Sequence, residues 1–283
     1  MTKRYLTFLT AMCALMLATA CQDRRTPADH RPVITVSIEP LRYFVEQIAG
    51  DRYRVATLVP SGSSPETYEP TPAQLVELSN SRAYLRMGTL PFEVTWLQRL
   101  VETAPTLPVA DVAKGVAFIT DTHGHEVDLH VWTSPQNAEV VARNVAAFLS
   151  QTDTAGRDYY NTRLEAFVAK TDSLDARLRT MLSDLSQRTF VIYHPALGYF
   201  AKSYGLVQLS IEDHGREPGA GQMASLVSRS RQAGVKVIFM QKEYRPDNAQ
   251  TLARETGARI VEINPLGYDW EGEMIRIAQA LAQ

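Results

Sequence analysis

Hydrophobic positions follow three different patterns along the chain. At the start they are continuous: no residue from Tyr5 to Ala20 is charged, and Leu6, Phe8, Leu9, Met12, Leu15, Met16 and Leu17 dominate behind Lys3 and Arg4. That run is shorter than the roughly 20 residues a membrane-spanning helix needs, and its layout is that of a secretory signal segment. From residue 33 onward, short β-rich runs alternate with stretches of helical period. Val33-Ile34-Thr35-Val36-Ser37 predicts a strand, Leu41 to Ala49 a helix stopped by Gly50, and Arg54 to Val59 and Arg82 to Met87 two further strands. Thr71-Pro72-Ala73-Gln74 predicts a helix start, with threonine as N-cap, proline at the first position and glutamine placed for a capping box. Another helix is predicted from Ser134-Pro135, with Ala138, Val141, Val145 and Phe148 on one face.

The third pattern runs from about Arg157 to Gln187, without proline or internal glycine. There Leu164, Phe167, Leu174, Leu178, Met181 and Leu185 recur at steps of three and four or their multiples. About 30 helical residues would span about 45 Å, more than one small domain. Thr171 interrupts the stripe and clean heptads are too few for a coiled coil, which favours one helix running across two lobes. Beyond it the alternation resumes. Strands are predicted at Phe190 to Tyr193, Val207 to Ile211, Val235 to Met240 and Arg259 to Ile263, and helices at Leu197 to Tyr204, Gln222 to Ala233, Asn248 to Thr256 and Glu273 to Leu281. The expected fold is α/β, two lobes that are each a parallel-rich sheet flanked by helices, joined by one long bridging helix. The expected partition is 1–20 signal peptide, 21–32 tether, 33–153 N-terminal lobe, 154–187 bridging helix and 188–283 C-terminal lobe.

Composition narrows the class. Of 283 residues, 45% are apolar and 21% charged, with a formal charge of −2, which excludes a disordered chain and a non-specific nucleic-acid binder. Only Cys13 and Cys21 carry thiols. Cys21 follows Ala18-Thr19-Ala20, which resembles a bacterial lipobox in which this cysteine becomes the lipidated first residue; an ordinary cleaved signal peptide is the alternative. Either way Cys13 is discarded and no disulfide is expected. Loss of Lys3 and Arg4 leaves 27 basic residues against 31 acidic, a formal −4. The polar, proline-containing stretch from Gln22 to Pro32, with His30 in it, suits a flexible tether. The mature protein is expected to be anchored at a bacterial membrane, periplasmic or at the cell surface.

In open α/β sheets ligands gather at the carboxyl ends of strands, and polar residues collect there. In Asp128-Leu129-His130-Val131-Trp132 the alternation suggests an extended segment with Asp128, His130 and Trp132 on one side, so the carboxylate could orient the imidazole. His194 follows the apolar run Phe190 to Tyr193 and precedes Pro195, again between a strand and a helix. Glu66 lies on the loop Ser63 to Pro72. Taken singly, each histidine also fits a hydrogen-bonded structural role and Glu66 a solvated loop acid.

Taken together, Ser64-Pro65-Glu66-Thr67-Tyr68-Glu69-Pro70-Thr71-Pro72, then Asp128-x-His130-x-Trp132-x-Ser134-Pro135, then His194-Pro195-x-x-Gly198-Tyr199-Phe200 and the closing Asn264-Pro265-Leu266-Gly267 resemble the metal-binding lipoproteins of zinc and manganese ABC importers. The resemblance covers Val33 to Gln283. It implies two α/β lobes holding one divalent cation in the cleft, on the positions of Glu66, His130 and His194. The first of these is a histidine in typical members. The fourth ligand is usually an aspartate where this chain has Asn264, and many members have a glutamate at the position of Gln241. Asn264 and Gln241 are therefore expected as a weak fourth ligand or as groups behind the ligands, with either weaker retention of the ion or a compensating carboxylate such as Glu243 or Glu212. Zinc is favoured over manganese because imidazoles outnumber hard oxygen donors.

His123 and His125, in Asp121-Thr122-His123-Gly124-His125-Glu126, match a shortened form of a histidine-rich loop common in zinc-type members, and a plain solvated loop suits them equally. His214 lies off the matched positions. Trp132, Tyr68, Tyr199 and Phe200 are expected to wall the ion's surroundings, and Trp96 and Trp270 to pack or form a rim. The implied function is capture of a divalent metal and delivery to an ABC permease by a monomer that is not an enzyme, with acids such as Glu69 on the cleft rim. A zinc-dependent hydrolase with Glu243 or Glu212 as base, or a surface adhesin, are the alternatives, since three ligands and an open position also describe a catalytic site. No His-Glu-x-x-His motif or nucleophile elbow supports the hydrolase. The long helix predicts modest lobe movement on binding.

Overall fold

Val33, Ile34 and Val36 are apolar on both faces of a short strand, the composition of a strand covered on both sides by helices. In the computed structural model, which describes residues 29–120, 127–212, 216–244 and 247–283, this run is β1 (Val33–Val36). It pairs in parallel with β2 (Arg54–Thr57) on one side and β3 (Ala83–Arg86) on the other, and β4 (Val109–Asp111) extends the sheet in the order β2-β1-β3-β4. The second sheet repeats that order. Here β5 (Thr189–Ile192) lies between β6 (Val207–Ser210) and β7 (Val237–Gln241), and β8 (Arg259–Ile263) forms the edge, all parallel.

The helices connect strands much as the periodicity predicts. They are α1 (Glu39–Ala49), α2 (Pro72–Ser79), α3 (Pro91–Thr103) and α4 (Pro135–Thr152) in the first half. After the long α5 (Arg157–Leu182) come α6 (Gly198–Tyr204), α7 (Ala220–Gln232), α8 (Asp247–Thr256) and α9 (Trp270–Ala282). The capping box at α2 is formed: the Gln74 amide donates to Thr71 Oγ1 at 3.3 Å, and Gln74 Oε1 accepts from the Thr71 amide at 2.9 Å.

Helix α5 rises about 39 Å at 1.5 Å per residue and packs against α1, α4 and α9. Thr171 is buried in it without strain, because its hydroxyl donates back to the carbonyls of Phe167 and Val168 at 3.1 and 2.9 Å. The helix ends at Leu182 and not near Gln187. Arg188, from the next strand's approach, donates to the free carbonyls of Leu182 and Ser183 at 3.4 and 2.9 Å and so serves as the cap that stops it.

One hydrophobic cluster runs through both sheets. It includes Phe44 of α1, Phe167 of α5, Trp270 of α9, and Phe190 and Phe239 of the second sheet. Phe44 meets Trp270 and Phe167 edge-on, with centroids 5.1 and 5.9 Å apart. A smaller cluster with Val191, Leu226 and Ile238 lies behind the second sheet. No helix among the described residues is long and apolar enough to cross a membrane. The expected signal segment, Cys21, His123, His125 and His214 lie outside the described residues.

Candidate metal site

The segment after β5 and the loops beyond β2 and before α4 supply the site. Glu66 lies on the loop leaving β2, where its amide donates to Ser64 Oγ at 3.3 Å and Pro65 is buried beneath it. His130 lies just ahead of α4. The expected extended segment is instead a tight bend: residues 131–133 form a turn of 3-10 helix, and Thr133 Oγ1 donates to the His130 carbonyl at 2.9 Å. That bend still pairs Asp128 with His130. One oxygen, Oδ1, receives both the His130 amide and its Nδ1 at 2.9 Å. His194 follows β5 after one intervening residue, Tyr193. Its Nδ1 lies 2.8 Å from Glu212 Oε2, beyond the end of β6.

Each imidazole thus has Nδ1 engaged by a carboxylate. In the neutral ring that nitrogen carries the hydrogen, which leaves the Nε2 lone pair free to bind. The two Nε2 atoms face each other at 3.2 Å, and Glu66 Oε1 is 3.1 Å from that of His194 and 3.8 Å from that of His130. Donors on a tetrahedral zinc with bonds of about 2.0–2.1 Å sit about 3.3 Å apart. Only the Glu66–His130 edge must shorten noticeably to meet this. Among the described residues these three are the group of His, Cys, Asp and Glu donors gathered within 4.8 Å.

Two lone pairs 3.2 Å apart repel unless a proton or a cation lies between them. Burial disfavours charge on His194, but its hydrogen bonds to Glu212 and Glu66 and their negative charges outweigh that, and its pKa is pushed up to about 9. Burial likewise raises Glu66, yet the hydrogen bond and charge of His194, with His130 beyond, hold it below the ordinary carboxylate value. A proton on His194 relieves that repulsion.

Gln241, at the end of β7, is not a donor to this centre. Its Nε2 donates to the His194 carbonyl at 2.7 Å and its Oε1 accepts the His194 amide at 3.3 Å, so both amide atoms brace the histidine's backbone. Asn264 lies apart from the cleft, in a groove with Lys242, Glu262, Asp269, Glu273 and Arg276. The side chain of Asn264 is tucked against Gly267, where an added Cβ would come within 3.1 Å of its Nδ2. Of the expected aromatic wall only Trp132 lines the cavity, together with Pro65, Ala196, Tyr244, Pro265 and Leu266. Tyr199 instead spends its hydroxyl on the Asp128 carbonyl at 2.8 Å, and Tyr68 packs edge-on against Phe92. Phe200 is buried against Tyr204. Trp270, expected to pack or form a rim, donates from Nε1 to the Trp132 carbonyl at 2.6 Å, while Trp132 Nε1 donates to the Pro265 carbonyl at 2.9 Å. Tyr244, which no pattern in the sequence singles out, stacks on His194 with planes 10° apart and centroids 5.4 Å apart.

Comparison with known proteins agrees with this geometry. Residues 34–283 match the family model described as zinc-uptake complex component A, periplasmic. The high-affinity zinc uptake system protein ZnuA of Bacillus subtilis (strain 168) is 28% identical over 282 residues, covering 92% of this chain and 87% of that protein. The zinc-binding lipoprotein AdcA of Streptococcus pneumoniae (strain ATCC BAA-255 / R6) is 27% identical across 93% of this chain, which spans 55% of that relative's length. Among solved structures, a ZnuA deletion mutant with zinc bound superposes with a TM-score of 0.84 at 36% identity, covering 89% of this chain and 97% of that one.

Proposed function

Because the chain belongs to the periplasmic zinc-uptake complex component A family, we propose that it captures zinc outside the cytoplasmic membrane and delivers it to the permease of an ABC importer. The observation that carries this reading is the convergence of His130 Nε2, His194 Nε2 and Glu66 Oε1, with both Nδ1 atoms held by carboxylates. These three are the ligands in our reading. Two imidazoles and a carboxylate suit zinc, whereas manganese favours a shell of harder oxygen donors. Asp128 and Glu212 fix the rings and make Nε2 a better donor.

Capture would exchange the proton shared around His194 Nε2 for the cation, which Glu66 neutralises in part. Delivery falls to Glu66, whose side chain is 27% exposed against 11% for His130 and 9% for His194. Cys21 would carry the lipid that keeps the protein beside its permease. We divide the chain into a signal peptide over 1–20, a tether over 21–32, lobes over 33–153 and 188–283, and a bridging segment over 154–187, acting as a monomer. Transport and not catalysis is the reading, and Glu212, engaged on His194, is poorly placed as a hydrolytic base.

Competition titration against a zinc chelator tests this. The wild-type chain is expected to hold one zinc and to prefer it to manganese, and His130→Ala and His194→Ala to lose it. Equal retention of zinc by wild type and both variants would overturn the assignment.

A further inference from the structure

We infer that Glu243 supplies the fourth ligand to the captured ion, in place of the position that Asn264 leaves vacant; this rests on the zinc-capture reading above. Three donors leave a tetrahedral ion one position short. Of the four carboxylate or amide side chains that the sequence offers for it, three are accounted for. Asn264 lines a different groove and packs against Gly267. Gln241 uses both amide atoms on the backbone of His194. Glu212 sits 2.8 Å from Nδ1 of His194, the ring nitrogen turned away from the cleft.

Glu243 remains. It lines the same cavity as Glu66, His130 and His194, two residues beyond the end of β7. No hydrogen bond or ion pair to another described residue holds its carboxylate. Its neighbour Tyr244 stacks on His194, which fixes this stretch of chain against the site. Glu243 would make the fourth ligand a second carboxylate, a donor type that zinc accepts. In this chain that carboxylate would come from the segment after β7 and not from the one after β8, so the acid has moved from one strand end to its neighbour.

The test compares the full chain with Glu243→Ala and Asn264→Ala by chelator competition, with thermal melting of the metal-free forms to confirm that each folds. The zinc dissociation constant of Glu243→Ala is expected to rise by about tenfold or more, at least the effect of losing a group behind a ligand. Asn264→Ala is expected to bind like wild type. A zinc-loaded crystal structure is expected to place a Glu243 oxygen about 2.0–2.2 Å from the ion. Binding by Glu243→Ala within about twofold of wild type, far below the loss of even an outer partner, overturns the inference, as does water in the fourth place with Glu243 turned to solvent. If His194→Ala loses zinc while Glu243→Ala keeps it, only this inference falls. If the wild-type chain itself binds no zinc, the capture reading falls with it.

Discussion

At the residue scale, the raised pKa of His194 links metal-free stability to pH. The folded value is about 9 against an ordinary 6.5, so the proton is held more tightly in the folded chain than in the unfolded one. That stabilisation is fully present below pH 6.5 and is lost as pH rises through about 9. Melting temperatures measured in chelator across this window should fall for wild type more than for His194→Gln; parallel curves would refute the link. Glu212→Gln should weaken zinc binding about tenfold to a hundredfold, because glutamine cannot carry the charge that holds the imidazole's Nδ1–H. Chelator competition reads this directly, and unchanged affinity would show that Glu212 does not act through His194. The three ligand candidates were legible because each sits in a short motif, and Asp128 because it is two residues from the ring it holds. Glu212 and Tyr244 were harder. They reach His194 from the ends of other strands, and only the parallel order of the sheet brings them there.

At the scale of elements, periodicity located most strands and helices to within a few residues, with both sheets entirely parallel. It passed over α3 and β4, the latter only three residues long and without an alternation to read. It also ran α5 past its end, because the apolar rhythm continues to Leu185 and the signal that stops the helix is a long-range cap from Arg188. Thr171 broke the stripe in the sequence but not in the structure, since a hydroxyl bonded to its own helix tolerates burial. Phe167 is buried on α5, touching Phe44 and Tyr43 and 2% exposed. Phe167→Ala should destabilise the fold by about 3–5 kcal/mol, read as a lowered denaturant midpoint with the slope unchanged. Thr71→Ala should cost about 1 kcal/mol through loss of the cap on α2. A larger loss from Thr71→Ala than from Phe167→Ala would show that the cap, and not the shared core, governs stability.

At the scale of the whole molecule, the two sheets are tied by more than the bridging helix. The Trp270–Trp132–Pro265 hydrogen bonds link α9, the bend after His130 and the segment after β8. On the outside, Tyr268 donates to Glu46 at 2.5 Å and Lys170 pairs with Glu271 at 2.5 Å. Such a body resists wide opening. X-ray scattering of metal-free and zinc-loaded protein should give closely similar radii of gyration, and a large contraction on loading would contradict the shared core. The bridging helix made this expectation available from sequence, whereas the paired indoles could be found only in three dimensions. The continuous core also has a kinetic meaning. In a body tied this way, the residence time of a captured ion would be set by the lifetime of single bonds at one corner of the site. A permease that catches the Glu66 loop could shorten that lifetime by orders of magnitude while leaving the equilibrium affinity in free solution untouched.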